Sequence, residues 1–122
     1  MYELEVYRSF SAAHRLCGYP GDCAKLHGHN WLVTVVLATA ELDGIGIGFD
    51  FKVLKKLLDD VLGEFDHCCL NDLPDFSNMN PTSENLAKLI YSKVAAAIGE
   101  GPAKVARVKV SESPSSTAIY YE

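Results

Sequence analysis

The sequence predicts an α+β domain in which a four-stranded antiparallel sheet carries two helices on one face. Four stretches have the composition of strands, because they either alternate between polar and apolar residues or are rich in β-branched and aromatic ones. They are residues 2–10, 30–38, 104–112 and 117–121. The middle of the chain instead places its apolar residues at helical spacing. The order of elements is therefore ββααββ.

Both predicted helices have recognisable ends. The first begins after Asp50, whose carboxylate can accept a hydrogen bond from a free backbone N–H. Its apolar face consists of Val53, Leu54, Leu57, Leu58, Val61, Leu62 and Phe65. The second is capped by Thr82 or Ser83 and stops at Gly99 or Gly101. Its apolar face consists of Leu86, Leu89, Ile90, Val94, Ala97 and Ile98. Each helix can bury one face against the sheet.

Length and charge limit the classes of protein that this chain can represent. With 122 residues, 48% of them hydrophobic, residues 1–122 are expected to form a single domain. The net charge of −5 argues against a nucleic-acid partner, which would need a broad basic face. An anionic substrate must then meet a local basic pocket. No apolar run approaches the roughly 20 residues that span a bilayer, so membrane insertion is not expected.

The amino-terminal residues 1–8 alternate charged and apolar side chains and resemble neither a signal peptide nor a transit peptide. A cytoplasmic location is expected, where cysteines remain reduced. Cys17 and Cys23 can then be free thiols, a catalytic thiol or metal ligands. Cys68 and Cys69 are adjacent, and a bond between such neighbours strains the backbone, so we interpret them as packing residues.

Three of the four histidines can meet at one place. His27 and His29 are two residues apart, just before the predicted strand 30–38, and in an extended strand two such residues project their imidazoles from one face. His14 lies near the end of the preceding strand, which should pair with or lie close to the second. Three neutral imidazoles around zinc leave a fourth position open for substrate or water, as in catalytic zinc sites.

The histidines alone leave other interpretations open. A His-x-His pair in a strand also occurs as a surface or hydrogen-bonded pair without a metal. A structural zinc site is a further alternative, in which Cys23 is the fourth ligand beside the three histidines. In that site no substrate could reach the metal, so a catalytic role requires Cys23 to stay unligated.

Five segments, in this order along the chain, resemble the 6-pyruvoyl- and 6-carboxytetrahydropterin synthase family. They are Phe10–Leu16, Cys23-x₃-His27-Gly28-His29-Asn30, Phe65-Asp66-His67-x₂-Leu70-Asn71-Asp72, Asn80–Asn85 and Ser111–Ser113. The resemblance implies the tunnelling fold, in which antiparallel sheets of several subunits close into a barrel, here a homohexamer of two trimers. Open sheet edges in so small a domain agree with this assembly.

The resemblance also implies a zinc ion held by His14, His27 and His29. In the family this metal binds the side-chain hydroxyls of 7,8-dihydroneopterin triphosphate. Cys23 matches the catalytic thiol, which moves protons on that side chain, and it needs an activating neighbour. The resemblance supplies one in the pair Asp66 and His67 of an adjoining subunit. Without the family, Asp66 and His67 would be interpreted as a polar helix end.

Three further residues are expected to bind substrate. Glu112 matches the family's pterin anchor, because a carboxylate can accept two hydrogen bonds from the 2-amino group and the adjacent ring N–H. Strand alternation also allows Glu112 to face solvent. Lys25 and Arg15 are the nearest cations for the triphosphate, although both could be ordinary exposed residues.

The spacing between Cys23 and His27 distinguishes the two branches of the family. Three residues separate them, which resembles the bacterial 6-carboxy branch, whereas the 6-pyruvoyl branch typically has a longer insertion. The resemblance therefore implies a synthase that releases triphosphate and acetaldehyde and forms 6-carboxy-5,6,7,8-tetrahydropterin for 7-deazaguanine (queuosine) biosynthesis. The alternatives are a 6-pyruvoyltetrahydropterin synthase and a non-catalytic assembly module stabilised by zinc. Cys68 and Cys69 depart from the usual family pattern after His67.

Overall fold

The structure, a computed structural model, describes all residues 1–122 and confirms the α+β class. Its strands and helices are β1 Tyr2–His14, β2 His27–Thr39, α1 Phe51–Leu62, β3 Cys68–Cys69, α2 Ser83–Ile98, β4 Lys104–Ser113 and β5 Ser116–Tyr120. Three single-turn 3₁₀ segments occupy the loops, at Asp22–Ala24, Leu70–Asp72 and Pro74–Phe76. The four predicted strands and two predicted helices are all present in the expected order.

The sheet has five strands in the order β3-β1-β2-β4-β5, one more than the sequence predicted. The additional strand β3 has only two residues, which pair in parallel with Ala12 and Ala13 of β1. Two residues are too few for an alternating pattern to be detected. All other neighbouring strands are antiparallel, as predicted.

Strands β1 and β2 are both longer than their composition indicates. They pair without interruption from Tyr2 opposite Thr39 to His14 opposite His27. Residues 11–14 have small or polar side chains with weak strand preference, but the hydrogen-bonded ladder with β2 extends the strand through them. This extension places two histidines opposite each other at the end of the paired strands.

The helix ends follow the predicted capping residues. Asp50 Oδ1 accepts a hydrogen bond from the Lys52 N–H at 2.7 Å, and Thr82 Oγ1 accepts one from the Asn85 N–H at 3.1 Å. Helix α1 ends at Leu62, three residues earlier than its apolar stripe suggested, and Phe65 enters the core from the following turns. None of the helices has the length and apolar character needed to cross a membrane.

The hydrophobic core lies between the two helices and one face of the sheet. Alternate residues of β2 supply its centre, where Trp31 is fully buried and stacks on Phe10 at a centroid distance of 6.0 Å. Burial of each large side chain of this kind contributes about 1.5–3 kcal/mol. Beyond Trp31 and Phe10, the next positions of this face are no longer all apolar but include histidine. A polar site therefore begins where the core ends.

Candidate metal centre and active site

Strand register brings His14, His27 and His29 to the same end of the helix-covered face. His14 pairs with His27, and His29 pairs with Ala12, two residues earlier on β1. One ligand atom from each of the three histidines lies within 4.8 Å of the other two. The predicted meeting of three imidazoles is therefore present in the structure.

Backbone carbonyls select the tautomer of two of these histidines. The Nδ1 of His14 lies 2.8 Å from the carbonyl oxygen of Pro81, and the Nδ1 of His27 lies 2.7 Å from that of Lys25. A carbonyl oxygen can only accept, so each Nδ1 carries the proton and donates. The Nε2 of both rings then carries a lone pair, which is the arrangement that metal-bound histidines adopt.

The histidine cluster has the chemistry expected of a site for a divalent cation. The Nε2 atoms of His14 and His29 are buried and have no hydrogen-bond partner within the chain. Leaving such a buried polar atom unpaired costs about 1–3 kcal/mol. A cation among the three rings would satisfy these atoms, and three imidazole nitrogens suit zinc and other first-row divalent ions.

Burial also favours the neutral form of two of the rings. Burial lowers the pKa of His14, and the positive charges that His27 and His29 would carry lower it further, while the hydrogen bond to Pro81 opposes the shift. Burial likewise lowers the pKa of His29, with the carboxylate of Glu112 acting in the opposite direction. Because only the neutral ring has a lone pair to donate, both shifts favour metal binding.

Cys23 lies in the loop between β1 and β2, within the short turn Asp22–Ala24, and is half-buried. Its carbonyl oxygen accepts a hydrogen bond from the Leu16 N–H at 2.9 Å. The group of mutually close metal-binding atoms consists of the three histidines without the Cys23 sulfur. This arrangement differs from the alternative in which Cys23 is a fourth zinc ligand.

Glu112 lies beside the histidine cluster. It follows Val108 and Val110 at alternate positions of β4, so it continues their buried face, and the pairing of β4 with β5 is irregular at this point. Its Oε2 lies 3.8 Å from His29 Nε2 and accepts a hydrogen bond from Ser83 Oγ at 3.4 Å. The carboxylate is thus directed toward the histidine cluster, while 37% of the side chain remains exposed.

Asp66 and His67 form a separate pair at the edge of β1. The Nδ1 of His67 lies 2.9 Å from Asp66 Oδ1, which also accepts the Ser11 N–H at 2.9 Å. The hydrogen bond from Ser11 lowers the pKa of Asp66 most, and the contact with His67 lowers it further. His67 has a left-handed backbone, with φ of 56°, and its side chain is 81% exposed. Within one chain this pair is not part of the histidine cluster.

The two predicted cations are on the surface. Arg15 and Lys25 are both exposed, and Lys25 Nζ lies 3.9 Å from Asp22 Oδ1, a contact between two solvated groups. At this exposure such a pair contributes little stability. Lys25 contributes to the site only by its carbonyl oxygen, which accepts the hydrogen bond from His27 Nδ1. Its ammonium group lies outside the cluster.

The four cysteines are free thiols. Cys68 packs against the core and its Sγ donates to the carbonyl oxygen of Phe65 at 3.1 Å, in agreement with the packing role expected from the sequence. Burial raises the pKa of Cys68, so this thiol is less reactive than an exposed one.

Sequence reasoning did not assign roles to Asn71, Asn80 or the carbonyl of Pro81. Each asparagine forms two hydrogen bonds to the backbone that follows His14. In the sequence these residues stand among turn formers, and a turn former does not indicate which distant segment it will contact. Only their position within the family-like motifs distinguished them from ordinary loop residues.

Together the sheet, the two helices and the histidine cluster define a tunnelling-fold protein with a candidate metal centre. Residues 3–122 match the model of the family described as 6-pyruvoyl tetrahydropterin synthase. The chain belongs to this family.

Relatives from distant organisms support the assignment over the whole chain. A 6-carboxy-5,6,7,8-tetrahydropterin synthase from Bacillus subtilis is 39% identical, in a match that covers 98% of this chain and 84% of the relative. A Synechocystis protein of the same name is 36% identical, over 95% of this chain and 92% of the relative. Among solved structures, 6-pyruvoyl tetrahydropterin synthase from Caenorhabditis elegans is 31% identical with a TM-score of 0.87, covering 99% of this chain and 95% of its own.

Proposed function

We propose that this chain is a zinc-dependent 6-carboxy-5,6,7,8-tetrahydropterin synthase. It would convert 7,8-dihydroneopterin triphosphate and water to 6-carboxytetrahydropterin, acetaldehyde and triphosphate, as a step toward 7-deazaguanine (queuosine) synthesis. The observation that carries the proposal is the cluster of three histidines, whose buried Nε2 atoms lack partners, in a chain 39% identical to a relative of that name.

His14, His27 and His29 would hold the zinc ion. Zinc bound there would make the hydroxyl groups of the substrate side chain more acidic. The hydrogen bonds from His14 to Pro81 and from His27 to Lys25 hold two of the rings in the orientation that presents Nε2. Two of the three rings are therefore oriented by the chain itself before the metal binds.

Cys23 would act as the base that moves protons on the substrate side chain. A thiol needs a proton acceptor to form the reactive thiolate, and His67 would take this role, with Asp66 fixing the imidazole tautomer. Since the Asp66–His67 pair contacts Ser11 and does not contact the cluster of its own chain, it would complete the site of a neighbouring subunit.

Glu112 would bind the pterin ring through two hydrogen bonds from the 2-amino group and the adjacent N–H. This role is supported by the position of its Oε2, which lies 3.8 Å from His29 Nε2, a proposed metal ligand. A ring held by Glu112 would direct its side chain toward the three histidines. Arg15 and Lys25, both exposed, would meet the triphosphate at the surface.

The proposed assembly is a homohexamer of two trimers. Both edges of the sheet are open, with the two-residue β3 on one side and the five-residue β5 on the other. Exposed edges of this kind are commonly paired with a second chain. The free thiols agree with a cytoplasmic location, since cysteines stay reduced in that compartment.

The product formed by the zinc-loaded protein tests the proposal. Incubation with 7,8-dihydroneopterin triphosphate should give a pterin with the mass of 6-carboxytetrahydropterin, together with acetaldehyde. Cys23→Ala should lower kcat by about 10²-fold or more while zinc stays bound. The matched control is Cys17→Ala, an exposed thiol on the same loop, which should keep wild-type turnover. Absence of pterin binding, with dissociation of the oligomer on metal removal, would instead indicate a zinc-stabilised assembly module.

A second candidate is the 6-pyruvoyl reaction on the same scaffold. The similarity to the C. elegans enzyme over 99% of the chain favours it. The three-residue spacing between Cys23 and His27 favours the 6-carboxy reaction. The product mass in the same incubation distinguishes the two, because only the 6-carboxy reaction loses two carbons as acetaldehyde.

A further inference from the structure

We infer that Asn71 and Asn80 are positioning residues that hold the Cys23 loop in place for catalysis. The loop comprises residues 15–26, between strands β1 and β2, and carries Cys23 near its end. The inference rests on the proposed function, because it assigns these asparagines to the placement of the proposed catalytic thiol.

Asn71 and Asn80 contact the start of this loop in the same way. Asn71 Oδ1 accepts the Arg15 N–H at 2.9 Å, and Asn71 Nδ2 donates to the Arg15 carbonyl at 3.0 Å. Asn80 Oδ1 accepts the Cys17 N–H at 2.9 Å, and Asn80 Nδ2 donates to the Cys17 carbonyl at 2.8 Å. Each side-chain amide therefore satisfies the donor and the acceptor of one backbone residue, as a neighbouring strand would.

A backbone hydrogen bond connects the residue between these two contacts to Cys23. Leu16 lies between Arg15 and Cys17, and its N–H donates to the Cys23 carbonyl oxygen at 2.9 Å. The backbone of the thiol residue is thus tied to a three-residue segment whose first and last members are each held by two hydrogen bonds. A shift of that segment would move Cys23 with it.

The rest of the loop offers little to replace these contacts. Its other backbone hydrogen bonds are local, such as Ala24 to Gly21 at 3.2 Å and Lys25 to Asp22 at 3.0 Å. Gly18 and Gly21 have positive φ values of 84° and 112°, a region that glycine enters without steric cost. With so few long-range bonds, the loop would become mobile if the asparagine contacts were removed.

Asn80 is itself fixed from the α2 side. Asn85 Nδ2 donates to the Asn80 carbonyl at 2.8 Å, and Asn85 N–H donates to the capping Thr82. Pro81, the next residue, accepts the hydrogen bond from His14. The two residues Asn80 and Pro81, just before α2, therefore fix both the orientation of a proposed metal ligand, His14, and the position of the loop that carries Cys23.

Loss of either asparagine should change the position of the thiol more than the affinity for substrate. A misplacement of about 1 Å can lower kcat by roughly 10²-fold. KM should change less than kcat, because the proposed pterin anchor Glu112 lies on β4, outside the loop, so that only the triphosphate contacts proposed for Arg15 and Lys25 would be lost with the loop. Zinc binding should persist, since none of the three histidines bonds to Asn71 or Asn80.

The test compares Asn80→Ala, Asn80→Asp and Asn71→Ala in the zinc-loaded protein. The control is Asn78→Ala, at an exposed residue two positions from Asn80. Four quantities are measured for each variant: zinc content, kcat, KM and the rate of iodoacetamide alkylation at Cys23. The alkylation rate is determined by peptide mass spectrometry, with Cys68 as internal reference. Asn80→Asp retains the size and one acceptor of asparagine, so it remains informative if Asn80→Ala fails to fold.

We expect Asn80→Ala and Asn71→Ala to lower kcat by roughly 10- to 100-fold, with a smaller change in KM. Cys23 should be alkylated several-fold faster, with Cys68 and the zinc content unchanged, and Asn80→Asp should lie between Asn80→Ala and wild type. Wild-type kcat together with a wild-type alkylation rate at Cys23 in all three variants would overturn the inference. If the wild-type protein does not turn over the substrate, the proposed function fails, while the alkylation rate still tests whether the asparagines position Cys23.

Discussion

His14 donates a hydrogen bond from its Nδ1 to the carbonyl oxygen of Pro81 at 2.8 Å, across 67 positions of sequence. This single contact leaves the Nε2 of a buried ring unprotonated and directed at two other imidazoles. The same kind of bond, from His27 to the Lys25 carbonyl, repeats the arrangement on the second strand. The candidate metal centre is therefore prepared by backbone carbonyls as well as by the histidines themselves.

Removal of one proposed ligand should abolish tight zinc binding. We expect His29→Gln to weaken zinc affinity by more than about 10²-fold, since even loss of an outer-shell partner costs 10- to 100-fold. His67→Gln is the matched control, because His67 is 81% exposed and outside the cluster. Competition with a chromophoric chelator measures both affinities. Equal affinities for the two variants would refute the three-histidine centre.

The metal-free protein should lose stability as the pH falls. Burial lowers the pKa of His14 and His29, so the folded chain binds these protons less readily than the unfolded chain. Their contribution to the free energy of unfolding is then complete above the ordinary histidine pKa of about 6.5 and declines as the pH falls through the lower folded values. Urea midpoints between pH 8 and pH 5 measure this decline.

A control variant distinguishes the effect of the buried His14 and the half-buried His29 from that of the exposed His67. His29→Gln should reduce the pH dependence of the urea midpoint between pH 8 and pH 5, whereas His67→Gln should retain it. A midpoint that stays constant over this range in the metal-free wild type would contradict the burial argument.

If the relay operates between subunits, two inactive variants should complement each other. Cys23→Ala removes the proposed base and His67→Ala removes its partner, so homo-oligomers of either should be inactive. In mixed oligomers roughly a quarter of the sites would combine an intact Cys23 with an intact His67 of another chain, and activity should return to that extent. Turnover is measured after subunit exchange has been verified by native mass spectrometry.

A second mixture serves as the control for complementation. Cys23→Ala combined with the double variant Cys23→Ala/His67→Ala contains no intact Cys23 and should remain inactive. Absence of recovered activity in the first mixture, despite verified exchange, would place the relay within one chain or remove it from the mechanism.

The aromatic side chain beneath the cluster should be important for stability. Trp31 is fully buried, stacks on Phe10 and lies with its ring 4.9 Å from that of His14. Trp31→Ala should lower the free energy of unfolding by about 3–5 kcal/mol, as expected for loss of a large buried aromatic. Val53→Ala, at a half-exposed position of α1, is the comparison and should stay within about 0.5 kcal/mol. Urea denaturation at one protein concentration measures both.

Short-range patterns account for the part of the fold that could be predicted. The caps Asp50 and Thr82 act on N–H groups two or three residues away, so their role can be recognised from neighbouring sequence alone. Strand alternation likewise depends on nearest neighbours. Strand β3 has only two residues and owes its existence to β1, so no local pattern could indicate it.

The candidate site likewise has some features that short-range sequence patterns predict and others that depend on the fold. By itself the sequence determined that His27 and His29 share one face of a strand, that His14 is available from the preceding one, and that Cys23 precedes them by a short, fixed spacing. Only the tertiary structure decided which nitrogen of His14 is free, that Glu112 faces the cluster, and that Asn71 and Asn80 hold the loop. These features depend on contacts between residues far apart in the chain, up to 67 positions for His14 and Pro81. The partner in such a contact is set by how the elements pack together, whereas spacing within one strand is set by the backbone period.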